Sequence, residues 1–165
     1  MTVVSDSSPL ITLVRIHCFA LLPKLYGRVY ISTEVYREVV TDGAGRPGAA
    51  EVAQADWIEV RPVENTAVLA AAIGKTGLGA GEISVIVLAK ELSANLLLID
   101  ERRARRYAKE EGLPIIGCVG ILEDLYEQGE LIDLRAAYRQ LIQHKTRIDL
   151  QTLRHSLRKF KLPSL

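Results

Sequence analysis

The chain has 165 residues, 48% of them hydrophobic and 25% charged, which is enough for one core and too short for two ordinary domains. Its 21 Lys and Arg against 20 Asp and Glu leave a formal charge of +1, which excludes a globally basic nucleic-acid coat and an acidic solvating tail. That balance hides a split: residues 1–134 carry 13 basic and 19 acidic side chains, and residues 135–165 carry 8 and 1. Cys18 and Cys118 are too few for a disulfide framework and stand in no metal-binding spacing, so buried free thiols in a reducing cytoplasm are expected. No window of about 18 uncharged apolar residues exists to span a membrane. Asp6, Arg15 and His17 also break any secretory-signal pattern, and a soluble cytoplasmic protein is expected.

Val3-Val4-Ser5 forms a short apolar run ending at Asp6, and Ser7-Ser8-Pro9 then offers a cap and a first-turn proline. The helix they open carries Leu10, Leu13, Val14 and His17 on one face. A second helical piece over residues 19–26 stops at Gly27. Val29-Tyr30-Ile31 is β-branched or aromatic throughout and predicts a strand, after which Ser32-Thr33 can cap a helix bearing Val35, Glu38 and Val39. A loop over 42–48 and a helix over 49–55 lead to Trp57-Ile58-Glu59-Val60. Residues 65–72 are Ala-rich and helical, and residues 74–81, with four glycines, are expected to be a flexible connection ending at Glu82. An apolar helix follows over 82–92.

Asn95-Leu96-Leu97-Leu98-Ile99 is a continuous apolar run, the mark of a strand buried on both faces of a parallel sheet, and it ends at Asp100. A helix over 101–111 stops at Gly112, residues 113–117 read as another central strand, and a helix follows over 119–128. This alternation predicts a three-layer α/β/α fold around a mainly parallel sheet. Residues 1–133 are expected to form the domain proper, with residues 134–165 a basic helical extension of it. Helices are expected over 134–143 and 150–160. The last one gathers Leu150, Leu153, Leu157 and Phe160 on one side, either to pack on the body or to meet a partner.

Asp6 and Asp100 share one structural address, directly after an apolar strand and before a helix. In a parallel α/β sheet that rim is where ligands bind, although an Asp there can also serve only as a helix cap. Glu82 opens an otherwise apolar helix behind Gly79-Ala80-Gly81. Of Glu34 and Glu38, four residues apart, Glu38 lies between Val35 and Val39 and is the better inward-pointing acid. Four converging acids without bases need a hard divalent cation, and Mg²⁺ or Mn²⁺ with oxygen ligands would suit a nuclease centre.

The segments Val4-Ser5-Asp6-Ser7-Ser8-Pro9-Leu10-Ile11, Val35-Tyr36-Arg37-Glu38, Gly79-Ala80-Gly81-Glu82-Ile83-Ser84 and Leu98-Ile99-Asp100-Glu101-Arg102-Arg103-Ala104-Arg105 resemble a PIN domain. The resemblance is nearest to the VapC-like branch of small prokaryotic PIN proteins, and Ile116-Gly117-Cys118-Val119-Gly120-Ile121-Leu122 is similar to that branch's late strand-to-helix segment. The resemblance implies a Mg²⁺- or Mn²⁺-dependent endoribonuclease, often a homodimer and often a toxin inhibited by a small antitoxin protein. Its four acids fall on Asp6, Glu38, Glu82 and Asp100, with Asp6, Glu82 and Asp100 as the metal ligands and Ser8 as the small hydroxyl nearby. Two positions depart from the pattern: Ser32 replaces a customary proline, and Glu101 stands where the branch often has a second Asp.

Other readings compete. Arg102 and Arg105, within Arg102-Arg103-Ala104-Arg105-Arg106, can grip RNA phosphates beside Asp100, order the acids, or form a solvated helix face. Gly74-Lys75-Thr76 is not a phosphate loop, because Leu69 stands where the motif needs glycine. His17, His144 and His155 lie in no catalytic spacing with Ser or Cys. A non-catalytic PIN-like module binding RNA or protein, and a DNA-directed acidic-site nuclease, are the alternatives to an endoribonuclease.

Overall fold

A computed structural model describes residues 1–165. Five strands form one parallel sheet in the order β3-β2-β1-β4-β5: β1 (Val3–Ser5), β2 (Val29–Ser32), β3 (Ile58–Arg61), β4 (Leu96–Leu98) and β5 (Ile115–Ile116). The ten helices are α1 (Ser7–Arg15), α2 (Leu22–Tyr26), α3 (Thr33–Tyr36), α4 (Ala49–Gln54), α5 (Thr66–Thr76), α6 (Ala80–Glu91), α7 (Arg102–Glu110), α8 (Cys118–Glu127), α9 (Leu134–Gln143) and α10 (Leu150–Lys159). The chain winds outward from β1 in both directions, so right-handed crossovers put α1 and α7 on opposite faces of the sheet. Helix α6 lies against β1, β2 and β4 on the face shared with α7, and α8 packs beside α1 on the other. The result is the expected three-layer α/β/α sandwich.

The centre of the sheet is the driest part of the molecule. Val3, Val4, Val29, Ile31, Leu97 and Leu98 are fully buried, as strands covered by helices on both faces require. Register is fixed by Val3 opposite Leu96, Val4 opposite Leu97 and Ser5 opposite Leu98. Consequently β1 and β4 end level with each other, and the Asp6 amide donates to the Leu98 carbonyl at 2.9 Å. This pair is the topological switch point, where the crossovers diverge and leave a crevice outside the strand ends.

Several elements differ from the sequence reading for identifiable reasons. The four-glycine stretch is mostly helix: α5 runs through Gly74 to Thr76 and α6 opens at Ala80, leaving only Gly77 to Gly79 between them. Gly77 (φ 70°) provides the left-handed turn that ends α5. Gly74-Lys75-Thr76 is thus the last turn of a helix. Residues 113–117 supply a two-residue edge strand rather than a central one, because order 3-2-1-4-5 leaves β5 with a single neighbour. The cap of α1 is Asp6 itself, whose Oδ1 accepts from the Ser7 amide at 2.8 Å, and not one of the serines.

The basic tail is integrated with the body. Leu134, Ala137, Tyr138, Leu141, Leu153 and Leu157 belong to one continuous core of 37 buried residues. Its polar seam is also closed, with the Tyr138 hydroxyl 2.5 Å from Ser156 Oγ, which donates to Glu123 at 3.1 Å. Phe160 meets Tyr126 edge-on at 5.4 Å. Leu150, assigned to the same apolar stripe, remains 46% exposed. No single helix is long and apolar enough to cross a membrane.

Candidate active site

The crevice at the β1/β4 switch point is built around Asp6, which is 2% exposed. It follows β1 directly, so its carboxylate caps α1 at the C-terminal end of the sheet's central strand. Burial raises its pKa from 3.8 to about 7 against the opposing pull of the Ser7 amide, and Glu82, Glu38 and Asp100 raise it further. Asp6 forms no ion pair with a Lys, Arg or His. Burial without a basic partner is costly for a carboxylate whose only task is to cap a helix.

Glu38 reaches the site from an unusual backbone. Ser32 caps α3 by accepting from the Val35 amide at 3.0 Å, and the helix then widens into a π-helical stretch over Arg37–Thr41. Such turns are frequent at functional sites because they re-aim one side chain. Here Glu38 is solvent-exposed rather than inward-pointing, yet Oε1 receives the Ser7 hydroxyl at 3.3 Å. Its Oε2 lies against Gly81, where a Cβ would stand only 2.5 Å away, so glycine at that position makes room for the carboxylate. The Ser32 hydroxyl also sits 2.6 Å from Ser84 Oγ, tying the start of α3 to α6 and thereby Glu38 to Glu82. A proline at position 32 could not make this tie, which gives the departure from the family pattern a physical use.

Glu82 stands in the first turn of α6. Burial raises its pKa, and the facing Glu101 carboxylate raises it further. Its Oε2 is buried without a hydrogen-bond partner. Glu101 caps α7, accepting from the Ala104 amide at 2.8 Å. Partial burial pushes its pKa up, but the Ala104 and Arg103 amides outweigh this and hold it below the usual range. The pair is therefore asymmetric, with the proton favoured on Glu82.

Asp100 is gripped by the start of α8. Its Oδ1 accepts from the Cys118 amide at 2.8 Å and its Oδ2 from the Cys118 thiol at 3.0 Å. Burial, then the Asp100 carboxylate, pushes the thiol pKa well up, so Cys118 stays a donor. Gly117 permits this approach, since a Cβ there would lie 2.8 Å from Asp100 Oδ1 and 2.9 Å from Arg105 Nη1.

The structure thus gathers Asp6, Glu38, Glu82 and Asp100 around one crevice. The other expected site residues behave differently. Ser8 is exposed, and the hydroxyl that touches an acid belongs to buried Ser7. Arg105 spends Nη1 on the Ile99 carbonyl at 2.9 Å, bracing the end of β4, whereas Arg102 is exposed and makes no side-chain bond. Sequence reasoning does not assign Glu101, Ser7, Gly81 or Cys118 to the site. Their signals are local: a carboxylate beside Asp100, a hydroxyl beside Asp6, a glycine before Glu82 and a thiol after a strand.

As the side chains stand, no three Asp, Glu, His or Cys groups converge closely enough to hold a metal ion. The donor set nevertheless suits a hard divalent cation. All candidate donors are carboxylate oxygens, burial and then neighbouring carboxylates raise the pKa of both Asp6 and Glu82, and Glu82 presents an unpartnered oxygen. Drawing them onto an ion requires side-chain rotation within the crevice.

A parallel α/β domain with carboxylates at its switch point has its acids where such folds place ligands. The family model described as a PIN domain matches residues 2–162, and the chain belongs to the PIN-domain family, whose members are generally nucleases. No curated protein matches the chain.

Proposed function

We propose that this protein is a metal-dependent endoribonuclease that hydrolyses RNA phosphodiesters at the Asp6, Glu38, Glu82 and Asp100 rim. The observation that carries the reading is Asp6, a buried carboxylate at the switch point whose charge is opposed by three other acids and which forms no ion pair. Asp6, Glu82 and Asp100 would hold Mg²⁺ or Mn²⁺, which when bound supplies a Lewis acid for the phosphoryl oxygens and lowers the pKa of an attacking water.

The chain's own groups prepare that chemistry. Cys118 fixes the Asp100 carboxylate through both of its oxygens, so it meets a ligand in one orientation. Ser7 holds Glu38 at the mouth of the crevice, and the Ser7 amide keeps Asp6 aimed along the axis of α1. Burial and the Glu101 carboxylate raise the pKa of Glu82, so cation binding is expected to strengthen as pH rises. The likeness to the VapC branch supports a toxin held in check by a small antitoxin protein, acting as a homodimer.

The test is cleavage of an end-labelled RNA and of DNA of the same sequence, with Mg²⁺, with Mn²⁺ and with EDTA. The proposal expects RNA to be cut in either metal and spared in EDTA. Preferential cutting of DNA would move the activity to a DNA-directed nuclease. Binding without cutting of either would make the chain a non-catalytic module.

A further inference from the structure

The tail's position gives its charge a purpose. Helix α10 runs parallel to α8: Ser156 meets Glu123, and Phe160 meets Tyr126 further along both helices. Helix α9 runs the opposite way, with Arg135 near its start bonded to the Pro163 and Ser164 carbonyls at 2.9 and 2.7 Å. The connection between α9 and α10 therefore lies at the end of the layer where α8 begins. At ~1.5 Å per residue along that axis, Leu150 falls at about the level of Gly117, which precedes the Cys118 that grips Asp100. That connection carries His144, Lys145 and Arg147, all exposed. Its one acid, Asp149, is engaged in capping α10 through the Gln151 amide at 3.0 Å.

Across the sheet edge, α7 opens with Arg102 and Arg103 in its first turn. Cations at a helix N-terminus oppose the macrodipole, and Arg102 makes no side-chain bond that offsets this. Arg103 bonds the Thr76 carbonyl at 3.2 Å, and Arg102 points to solvent. Exposed cationic side chains thus stand at the start of α7 and at the end of the layer where α8 begins, one group in each helical layer.

We propose that the α9–α10 connection (Lys145 and Arg147) and the first turn of α7 (Arg102) form the banks of a groove that holds a single polynucleotide strand by its phosphates across the carboxylate rim. The proposal rests on the nuclease reading of that rim and adds the path of the substrate. Ile142 and Leu150, 43% and 46% exposed beside the connection, offer apolar surface to bases. Two aliphatic side chains are too little for the apolar centre of a stable protein interface, which favours a polynucleotide over an acidic protein segment. Helix α10 itself is not the binding element, because Leu153, Ser156 and Leu157 are buried in the body.

The experiment is fluorescence anisotropy of a single-stranded RNA of ~12 nucleotides, a length suited to one such groove, in EDTA over a series of salt concentrations. Lys145→Glu with Arg147→Glu is expected to weaken binding about tenfold or more at low salt and to lower the salt slope by ~1.4, two single-strand phosphate contacts. Arg102→Glu is expected to lower that slope by ~0.7. Arg158→Glu with Lys161→Glu makes the same charge change at the far end of α10 and is expected to alter affinity less than about twofold. Equal loss from both double variants, or retained affinity in the first, overturns the groove. Tighter binding of poly-glutamate than of RNA at equal charge also overturns it. Because binding is read in EDTA, a groove that binds RNA without cleavage in any metal refutes the nuclease reading alone. Cleavage with unchanged binding in Lys145→Glu/Arg147→Glu refutes the groove alone.

Discussion

Replacing Asp6 by Asn should stabilise the metal-free protein at alkaline pH while abolishing its use of metal. Asp6 has its pKa raised from 3.8 to about 7 in the folded chain, first by burial and then by Glu82, Glu38 and Asp100. A group raised in this way contributes stability that is complete below its unfolded pKa and is lost as pH rises through the folded one. The rise corresponds to ~4 kcal/mol lost from the metal-free protein between about pH 4 and pH 8, a large part of a small domain's stability. Asparagine carries no charge to desolvate and keeps an oxygen for the Ser7 amide, which Asp6 Oδ1 now receives at 2.8 Å. Urea unfolding in EDTA should therefore show wild type and Asp6→Asn within about 1 kcal/mol of each other at pH 4.5, and the variant more stable by several kcal/mol at pH 8. Saturating Mg²⁺ or Mn²⁺ should restore wild type by ~3 kcal/mol at a hundredfold excess over Kd and leave the variant unmoved. A difference between the two proteins that is the same at both pH values would refute the account of Asp6.

Three further outcomes follow from the packing around the rim. Cys118→Ala removes the thiol that donates to Asp100 at 3.0 Å, and loss of a hydrogen bond to a charged group predicts a 10- to 100-fold fall in kcat, largely rescued by Cys118→Ser; equal activity in all three proteins would remove Cys118 from the positioning of Asp100. Gly81→Ala places a Cβ 2.5 Å from Glu38 Oε2, the far end of a flexible side chain, so the melting temperature should move by about 2 °C or less while RNA cleavage falls. Unchanged cleavage in that variant would show that the position of Glu38 is immaterial. Leu157→Ala should cost ~2–5 kcal/mol in urea unfolding, with a single transition, because Leu157 belongs to the body's core; a cost below about 1 kcal/mol would separate the tail from the domain.

Much of this architecture is legible in the sequence because its signals are local. The apolar run before Asp100, the Ser32 cap and the Gly27 stop all act within a few residues, and β4, α3 and α2 fall where they predict. The acids Asp6 and Asp100 are legible for the same reason, each closing an apolar strand. What the sequence hides depends on contacts distant in the chain. The glycines over 74–81 read as a flexible link because glycine weakens an isolated helix, yet tertiary packing carries α5 through Gly74, and Gly81 serves a carboxylate more than forty residues earlier. The exposure of Glu38 follows from a π-helical widening that no heptad-like count anticipates. The resemblance points to Ser8, whereas Ser7 carries the hydroxyl that meets Glu38, since the choice turns on which side of α1 faces that acid. The grip of Cys118 on Asp100 joins residues 18 apart and becomes visible only once β4 and α8 are side by side.

The central claim, that the rim carboxylates act together with a divalent cation on RNA, is tested most directly by one comparison. Cleavage of a defined RNA in Mn²⁺ is followed for wild type, Asp6→Asn and Asp100→Asn, each first shown to be folded and freed of any co-purifying protein. The account predicts that wild type cuts the RNA and that each variant loses at least about a hundredfold in rate, a loss of roughly 3 kcal/mol in transition-state stabilisation. Variants that cut as fast as wild type would contradict it.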